Sequence, residues 1–227
     1  MKPSRWRRLL SYLTEIPLEH RSSEHNAELT VALSRGRYQL YTENAVYSYA
    51  DLYDNFRQAF RRIDLDHPPI ERVLLLGLGL GSIPWMLERT FGRRYRYTAV
   101  EIDEEVIYLA GKYCLGELRS PMEVICADAR QYVAVCAQRF DLICMDIFED
   151  DTVPEAFEEA GFLRALQGLL TPGGRLLYNR LASRPGDRSS SLRFFRQVFL
   201  PVFPDAAKLE MKDNLVLLHD RRYLRRP

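Results

Sequence analysis

The sequence lacks the marks of several functional classes. It has four cysteines in 227 residues and no C-x-x-C pair, which excludes a disulfide framework and the usual zinc-ribbon spacing. Its four histidines, His20, His25, His67 and His219, are scattered, with no H-x-H or H-E-x-x-H motif. No metal is therefore expected. No apolar run approaches the ~18–20 residues of a membrane span. The basic opening MKPSRWRR lacks the apolar stretch and small-residue cleavage site of a signal peptide. A cytoplasmic protein with reduced thiols is expected, and Cys126 and Cys144, in apolar strand-like runs, read as core residues. A charge excess is also missing: 32 Lys+Arg against 31 Asp+Glu leaves +1, which argues against a general nucleic-acid binder. The basic stretches MKPSRWRR and RRYLRRP read as solvated ends, with contact to an anionic membrane or RNA as the lesser alternative. No internal repeat or low-complexity tract is present.

What is there is an ordinary globular composition, 47% hydrophobic and 28% charged, in a length that suits one sizeable domain with a small extension. Two rhythms divide it. Residues 1–26 are polar, with a short helix expected over 6–13. The stretch ELTVALSRGRYQLYTENAVYSYA then alternates apolar and polar residues, with turn signals at 34–36 and 43–44. It predicts two or three short antiparallel strands. Helical spacing follows over 51–63, and Pro68-Pro69 closes the segment. Residues 1–66 are thus expected as an N-terminal segment with a small hairpin and a helix, and 67–227 as a cofactor-binding domain.

In the second part, strand-like runs alternate with helices. The strands are VLLLG, YRYTAVEID, MEVICAD, FDLICMDIF and GRLLYNRL; the helices are expected over 83–91, 104–114, 129–138, 154–170 and 188–200. This alternation predicts a parallel sheet covered on both faces. The last two runs, AAKLEM and NLVLLHD, are joined by a tight turn at Lys212-Asp213 and predict a hairpin. The fold class is therefore α/β, and its layout resembles the Rossmann-like class I methyltransferases.

Ligands of such sheets bind at the carboxyl ends of the strands. The first strand runs into Gly77, Gly79 and Gly81 in VLLLGLGLGSIP. Glycines allow close backbone approach to a ligand, and Ser82 and Pro84 suit the cap and first turn of the next helix. The loop is neither a Walker A sequence nor G-x-G-x-x-G, which disfavours a triphosphate and a dinucleotide. Glu101 ends the second strand, 24 residues after Gly77, where a carboxylate can accept from ribose hydroxyls; Asp103 suits the helix cap better. Asp128, followed by Ala129, ends the third strand, either facing an adenine amine or capping a helix. Asp146 ends the fourth. A glycine loop with acids at three successive strand ends points to an adenosine-bearing cofactor without a phosphate chain, such as S-adenosylmethionine.

The segments HPPIERVLLLGLGLGSIP, VEIDEEVI, ADARQYV, FDLICMDIFEDDTVP and LLTPGGRLLYN, in this order and spacing, resemble the spermidine synthase family. The resemblance covers residues 38–180 or so. It implies S-adenosylmethionine or its decarboxylated form as cofactor, with Glu101 on the ribose, Asp128 and Ala129 on the adenine, and Asp146 in the reaction centre. It also implies an N-terminal β-domain that often builds homodimers. The sequence departs from the family in several places. Leu80 stands where an aspartate grips the donor amine, and Glu149 stands for the second acid of the acidic loop. Tyr53-Asp54-Asn55 replaces Y-H-E, and the polyamine-site glutamine has no match. Asp146 is the candidate base. Glu149, Tyr47 and Tyr53 are candidate substrate contacts, with Tyr49 beside them, although tyrosines at this density also serve packing. Residues 149–151 also read as a solvated loop before a helix, with a capping box at 152–155. Asn179 ends the fifth strand. The expected activity is transfer to a small-molecule acceptor, an amine among the options. Methyl is favoured over aminopropyl, and a non-catalytic nucleoside binder is the third alternative. No nucleic-acid partner is expected.

Overall fold

The computed structural model describes residues 3–42, 46–48, 50–149 and 152–225. The first part forms helix α1 (Arg5–Leu10) and a four-stranded antiparallel sheet of β1 (Ile16–Arg21), β2 (Leu29–Ser34), β3 (Arg37–Tyr41) and β4 (Val46–Ser48), paired in sequence order. β2 and β3 follow the alternating stretch. β1 was not expected: IPLEHR carries a proline and three charged or ionisable residues in a row, and pairs with β2 across a register shift between Pro17 and Glu19. The turn signal at 43–44 lies outside the described residues. Helix α2 (Asp54–Arg62) follows a 3₁₀ turn at Ala50–Leu52.

The second part alternates as expected: β5 (Arg72–Leu76), α3 (Ser82–Arg89), β6 (Arg96–Glu101), α4 (Glu104–Tyr113), β7 (Met122–Cys126), α5 (Ala129–Val135), β8 (Phe140–Met145), α6 (Ala160–Gly168) and β9 (Leu170–Leu181). Helix α7 (Pro185–Phe194) continues through a π-helical turn at Phe195–Phe199 into the short α8 (Leu200–Val202). The hairpin β10 (Ala207–Glu210) and β11 (Asn214–Leu218) then closes the sheet. The order is β10-β11-β9-β8-β5-β6-β7. Strands β5 to β9 are parallel, and β11 joins β9 antiparallel. β5 is flanked by β8 and β6, so the chain reverses direction across the sheet at β5, the switch point where such sheets bind ligands.

Alternation along the strands builds two cores. Val73, Leu75, Ala99, Leu142, Cys144, Leu177 and Val216 face α2, α3 and α4 through Phe56, Phe60, Met86 and Leu109. Leu74, Leu76, Val100, Ile143, Met145, Leu176 and Leu217 face α5, α6 and α7 through Val133, Phe162, Leu163 and Phe194. A period of two that is apolar at every position is the mark of a sheet covered on both faces. Cys144 is buried in the first core, whereas Cys126 is exposed. The core expectation for Cys126 fails because β7 is the edge strand and Cys126 its last residue.

Two local expectations also change. Ser82 does not cap α3. The cap position is Gly81, at φ 81°, and the Ser82 hydroxyl instead meets Ser48 Oγ at 2.6 Å. The capping box at 152–155 does not start a long helix: Pro154 precedes a 3₁₀ turn at Glu155–Phe157, and α6 begins only at Ala160.

Asp103 joins the two sheets. Its Oδ1 caps α4 by accepting from the amides of Glu105 and Val106. Its Oδ2 accepts from Asn26 Nδ2 at 2.6 Å and from the Ser23 hydroxyl. The side chain is almost fully buried, so removing it leaves donors without partners on both sides. Asp103→Ala is expected to lower the unfolding free energy in urea by about 2–4 kcal/mol, the sum of a lost cap and lost charge-assisted bonds, with Asp103→Asn losing less.

Candidate active site

A cavity of about 550 Å³ opens at the carboxyl ends of β5, β6, β7 and β8, a size suited to a cofactor-sized ligand. Gly77, Gly79, Glu101, Asp128, Ala129, Asp146, Glu149, Tyr47 and Tyr53 all line it. Gly81 does not: it sits behind the loop at the start of α3. Leu80 also turns away, 2% exposed and packed into the first core. Tyr49, Asp150 and Asp151 lie outside the described residues.

The glycine loop is set by close approaches. Gly77 has φ 89°, and a Cβ there would overlap the Asp146 carbonyl oxygen and lie 2.9 Å from its carbon. Gly79 has φ 51°, and its Cβ would lie 3.0 Å from Ser48 Cβ. The first glycine thus lets β5 and β8 end against each other, and the second lets β4 close on the loop. Both positions also hold the left-handed backbone that glycine adopts without steric cost.

Glu101 is held by the backbone. Its Oε2 accepts from the Leu78 amide at 2.9 Å, and its Oε1 accepts from Ile102 and Asp103 at 3.0 and 3.2 Å. Burial pushes its pKa up, and the amides of Leu78, Asp103 and Gly79 oppose the rise. The Gly79 amide also faces this carboxylate, which lines the cavity. Asp128 caps α5 through Oδ1, which accepts from Arg130 and Gln131. The capping and cavity-lining readings therefore hold together.

Asp146 is the centre of a second cluster. Tyr53 Oη donates to its Oδ1 at 3.2 Å, and Asn179 Nδ2 donates to the same oxygen at 2.8 Å. Oδ2 has no protein donor among the described residues. Burial raises the Asp146 pKa to about 6, with the Asn179 and Tyr53 bonds limiting the rise. Burial, and then the Asp146 charge, holds the Tyr53 phenol well above its usual range. Asn179 is fully buried within β9, not at its end. Glu149 is exposed and pairs with Thr152 through two backbone bonds.

Sequence reasoning passed over His25 and Asn26, which form a wall of the cavity near Tyr47. The Tyr47 hydroxyl donates to Asn26 Oδ1 at 2.8 Å. These residues belong to a loop without periodicity, placed by the bonds of Asn26 to Asp103 and Tyr47. Among the described residues, no group of three or more His, Cys, Asp or Glu is placed to hold a metal, and no helix is long and apolar enough to cross a membrane.

The fold and the site at its switch point define a class I methyltransferase-like protein. No protein-family model matches the chain. A polyamine aminopropyltransferase of Vibrio vulnificus is 32% identical over 139 residues, 60% of this chain and 46% of that protein. The eEF1A lysine and N-terminal methyltransferase of Homo sapiens is 28% identical over 168 residues, 68% of this chain and 24% of that protein. Among solved structures, human methyltransferase-like protein 13 in complex with SAH matches at 28% identity and a TM-score of 0.55, covering 69% of this chain and 73% of that one. Spermidine synthase from Thermotoga maritima shares the fold at a TM-score of 0.67 and 16% identity, covering 89% of this chain and 72% of that one. In sequence the chain is similar to a polyamine aminopropyltransferase over part of its length, and it shares the fold of spermidine synthase. It spans less than half the length of the curated relatives it matches.

Two outcomes follow from the geometry. Gly77→Ala combines overlap with Asp146 and a left-handed φ, so a loss of about 2–4 kcal/mol is expected. Gly92→Ala, at φ 66° with nothing within 4 Å, should lose only about 1–2 kcal/mol. Chemical denaturation of the two variants checks the difference. The second outcome concerns pH. The folded pKa of Asp146, about 6, lies above its ordinary value of 3.8, so the folded chain binds this proton more tightly. Its contribution is therefore unfavourable above pH 6, by up to about 3 kcal/mol, and fades below pH 4. Asp146→Asn should melt higher than the parent at pH 7.5, and this gain should vanish near pH 4.

Proposed function

We propose that the chain is an S-adenosylmethionine-dependent transferase that moves a methyl group to an amine nitrogen of a small molecule. The observation that carries this reading is the convergence of the glycine loop, Glu101, Asp128 and Asp146 on one cavity at the switch point. The residues fit an adenosyl group: the Glu101 carboxylate lines the cavity where it could accept from a ribose hydroxyl, and Asp128 with Ala129 would meet the adenine. Bound there, S-adenosylmethionine supplies a methyl carbon activated by its sulfonium.

The chain's own work is positioning and proton transfer. Tyr53 and Asn179 fix Oδ1 of Asp146, and Oδ2 is left to accept the proton of the acceptor amine. Held by the glycine loop, Glu101 and Asp128, the cofactor would supply the methyl carbon and release a neutral thioether that keeps the bonding pair, while Oδ2 of Asp146 would take the amine proton. With a pKa of about 6, Asp146 is ionised at neutral pH and still basic enough to serve.

Methyl transfer is preferred to aminopropyl transfer because of the donor tail. A decarboxylated donor ends in a bare ammonium, which needs a carboxylate beside it. At position 80 the chain offers Leu80, buried in the core and absent from the cavity wall. The tail of intact S-adenosylmethionine is a zwitterion and needs less compensation. The human relative named for lysine and N-terminal methylation supports an amine acceptor.

Calorimetric titration should show S-adenosylmethionine binding at least about tenfold tighter than its decarboxylated form, a difference of about 1.4 kcal/mol. The reverse preference would favour aminopropyl transfer, and binding of neither would favour a non-catalytic relative. Once an acceptor is found, turnover should rise through pH 6, and Asp146→Asn should lower it by about 10²–10⁴ while leaving cofactor affinity nearly unchanged.

A further inference from the structure

Helix α1 is amphipathic in an unusual sense, because its apolar side faces solvent. Trp6, Leu9, Leu10 and Leu13 stand at i, i+3, i+4 and i+7, the spacing of one helical face. They are 82%, 61%, 50% and 86% exposed. Leu13 keeps this face because helical bonding continues past Leu10: Ser11 donates to the Arg7 carbonyl at 3.0 Å, and Leu13 to the Leu10 carbonyl at 2.9 Å. The helix buries none of its residues.

The opposite side holds it to the protein. Ser11, buried, accepts from the Gly36 amide through Oγ at 2.8 Å, and its carbonyl accepts from the Arg35 amide at 2.7 Å. Arg8 lines a small recess with Gly36 and Tyr38. The β2–β3 turn thus presents the helix with its apolar stripe outward.

The charge around the stripe indicates what covers it. Residues 1–14 contain Lys2, Arg5, Arg7 and Arg8 and no acid; the three arginines are exposed. Two copies meeting stripe to stripe would bring three arginines from each together, with only Glu15, just beyond the stripe, as a neighbouring acid in the sequence. An anionic lipid surface accepts both features, taking the tryptophan and leucines into its interfacial layer and the arginines among its headgroups.

We propose that α1 docks the protein reversibly on anionic membrane surfaces, with Trp6, Leu9, Leu10 and Leu13 inserted and Arg5 and Arg7 at the headgroups. This role is independent of the chemistry in the cavity, and it replaces the expectation of a merely solvated basic end. The test is co-sedimentation of the full chain with phosphatidylcholine vesicles, with and without about 30% phosphatidylglycerol. Binding is expected only with the anionic lipid, and should be lost in high salt. The triple variant Trp6→Ser, Leu9→Ser, Leu13→Ser and the double variant Arg5→Glu, Arg7→Glu should each bind at least about tenfold more weakly. Both should keep the parent melting temperature, since these side chains are exposed. Emission from Trp6 should shift to the blue on binding, a shift that Trp6→Phe removes. Absence of binding, or equal binding by parent and both variants, would overturn the proposal. So would a dimer, seen by light scattering, that the triple variant dissolves and anionic vesicles do not, because the stripe would then belong to a second copy.

Discussion

The candidate site depends on one missing side chain. At Gly77 the backbone of β5 passes so close to the Asp146 carbonyl that no Cβ fits between them. This contact lets the central strand and its neighbour β8 end at the same height. The loop that would receive a cofactor and the carboxylate that would receive a proton are therefore held in one rigid unit. The ladder supports the contact from both sides: the Asp146 amide donates to the Leu76 carbonyl at 2.8 Å, and the Gly77 amide to the Val100 carbonyl at 2.9 Å. Geometry at the reacting centre is thus inherited from the sheet, whose core residues leave little freedom to shift.

Around that unit the first sheet acts as a wall. Ser48 meets the glycine loop, Asn26 and Tyr47 close the cavity side, and Asp103 ties this wall to α4. Asp103 follows two residues after Glu101, so the cavity-lining carboxylate and the anchor of the wall share one turn. Tyr53, at the N-terminal cap position of α2, reaches Asp146 from the same side of the sheet. The site is therefore built from both sheets, and neither alone presents its full set of polar groups.

Much of this was legible in the sequence because strands covered on both faces are nearly unbroken apolar runs, and their ends are marked by glycines or acids. The positions of Glu101, Asp128 and Asp146 followed from that rule alone. Other features depend on the partner across a gap, which a linear pattern does not encode. Ser82 reads as a cap but bonds Ser48, 34 residues earlier. Cys126 reads as core but ends an edge strand. β1 is hidden by Pro17 and by charged residues that its edge position tolerates. His25 and Asn26 belong to a loop whose place is fixed by Asp103 and Tyr47, both distant in sequence. Leu80 was readable as a departure from the family pattern, but only the fold shows that it faces the core and leaves the cavity wall without a side chain at that point.

The most direct test of the account is a crystal structure of the chain grown with S-adenosylhomocysteine. The ribose hydroxyls should lie on Glu101, the adenine beside Asp128 and Ala129, and the sulfur should face Oδ2 of Asp146 across a gap large enough for an acceptor nitrogen. A ligand bound elsewhere, or one whose sulfur points away from Asp146, would contradict it.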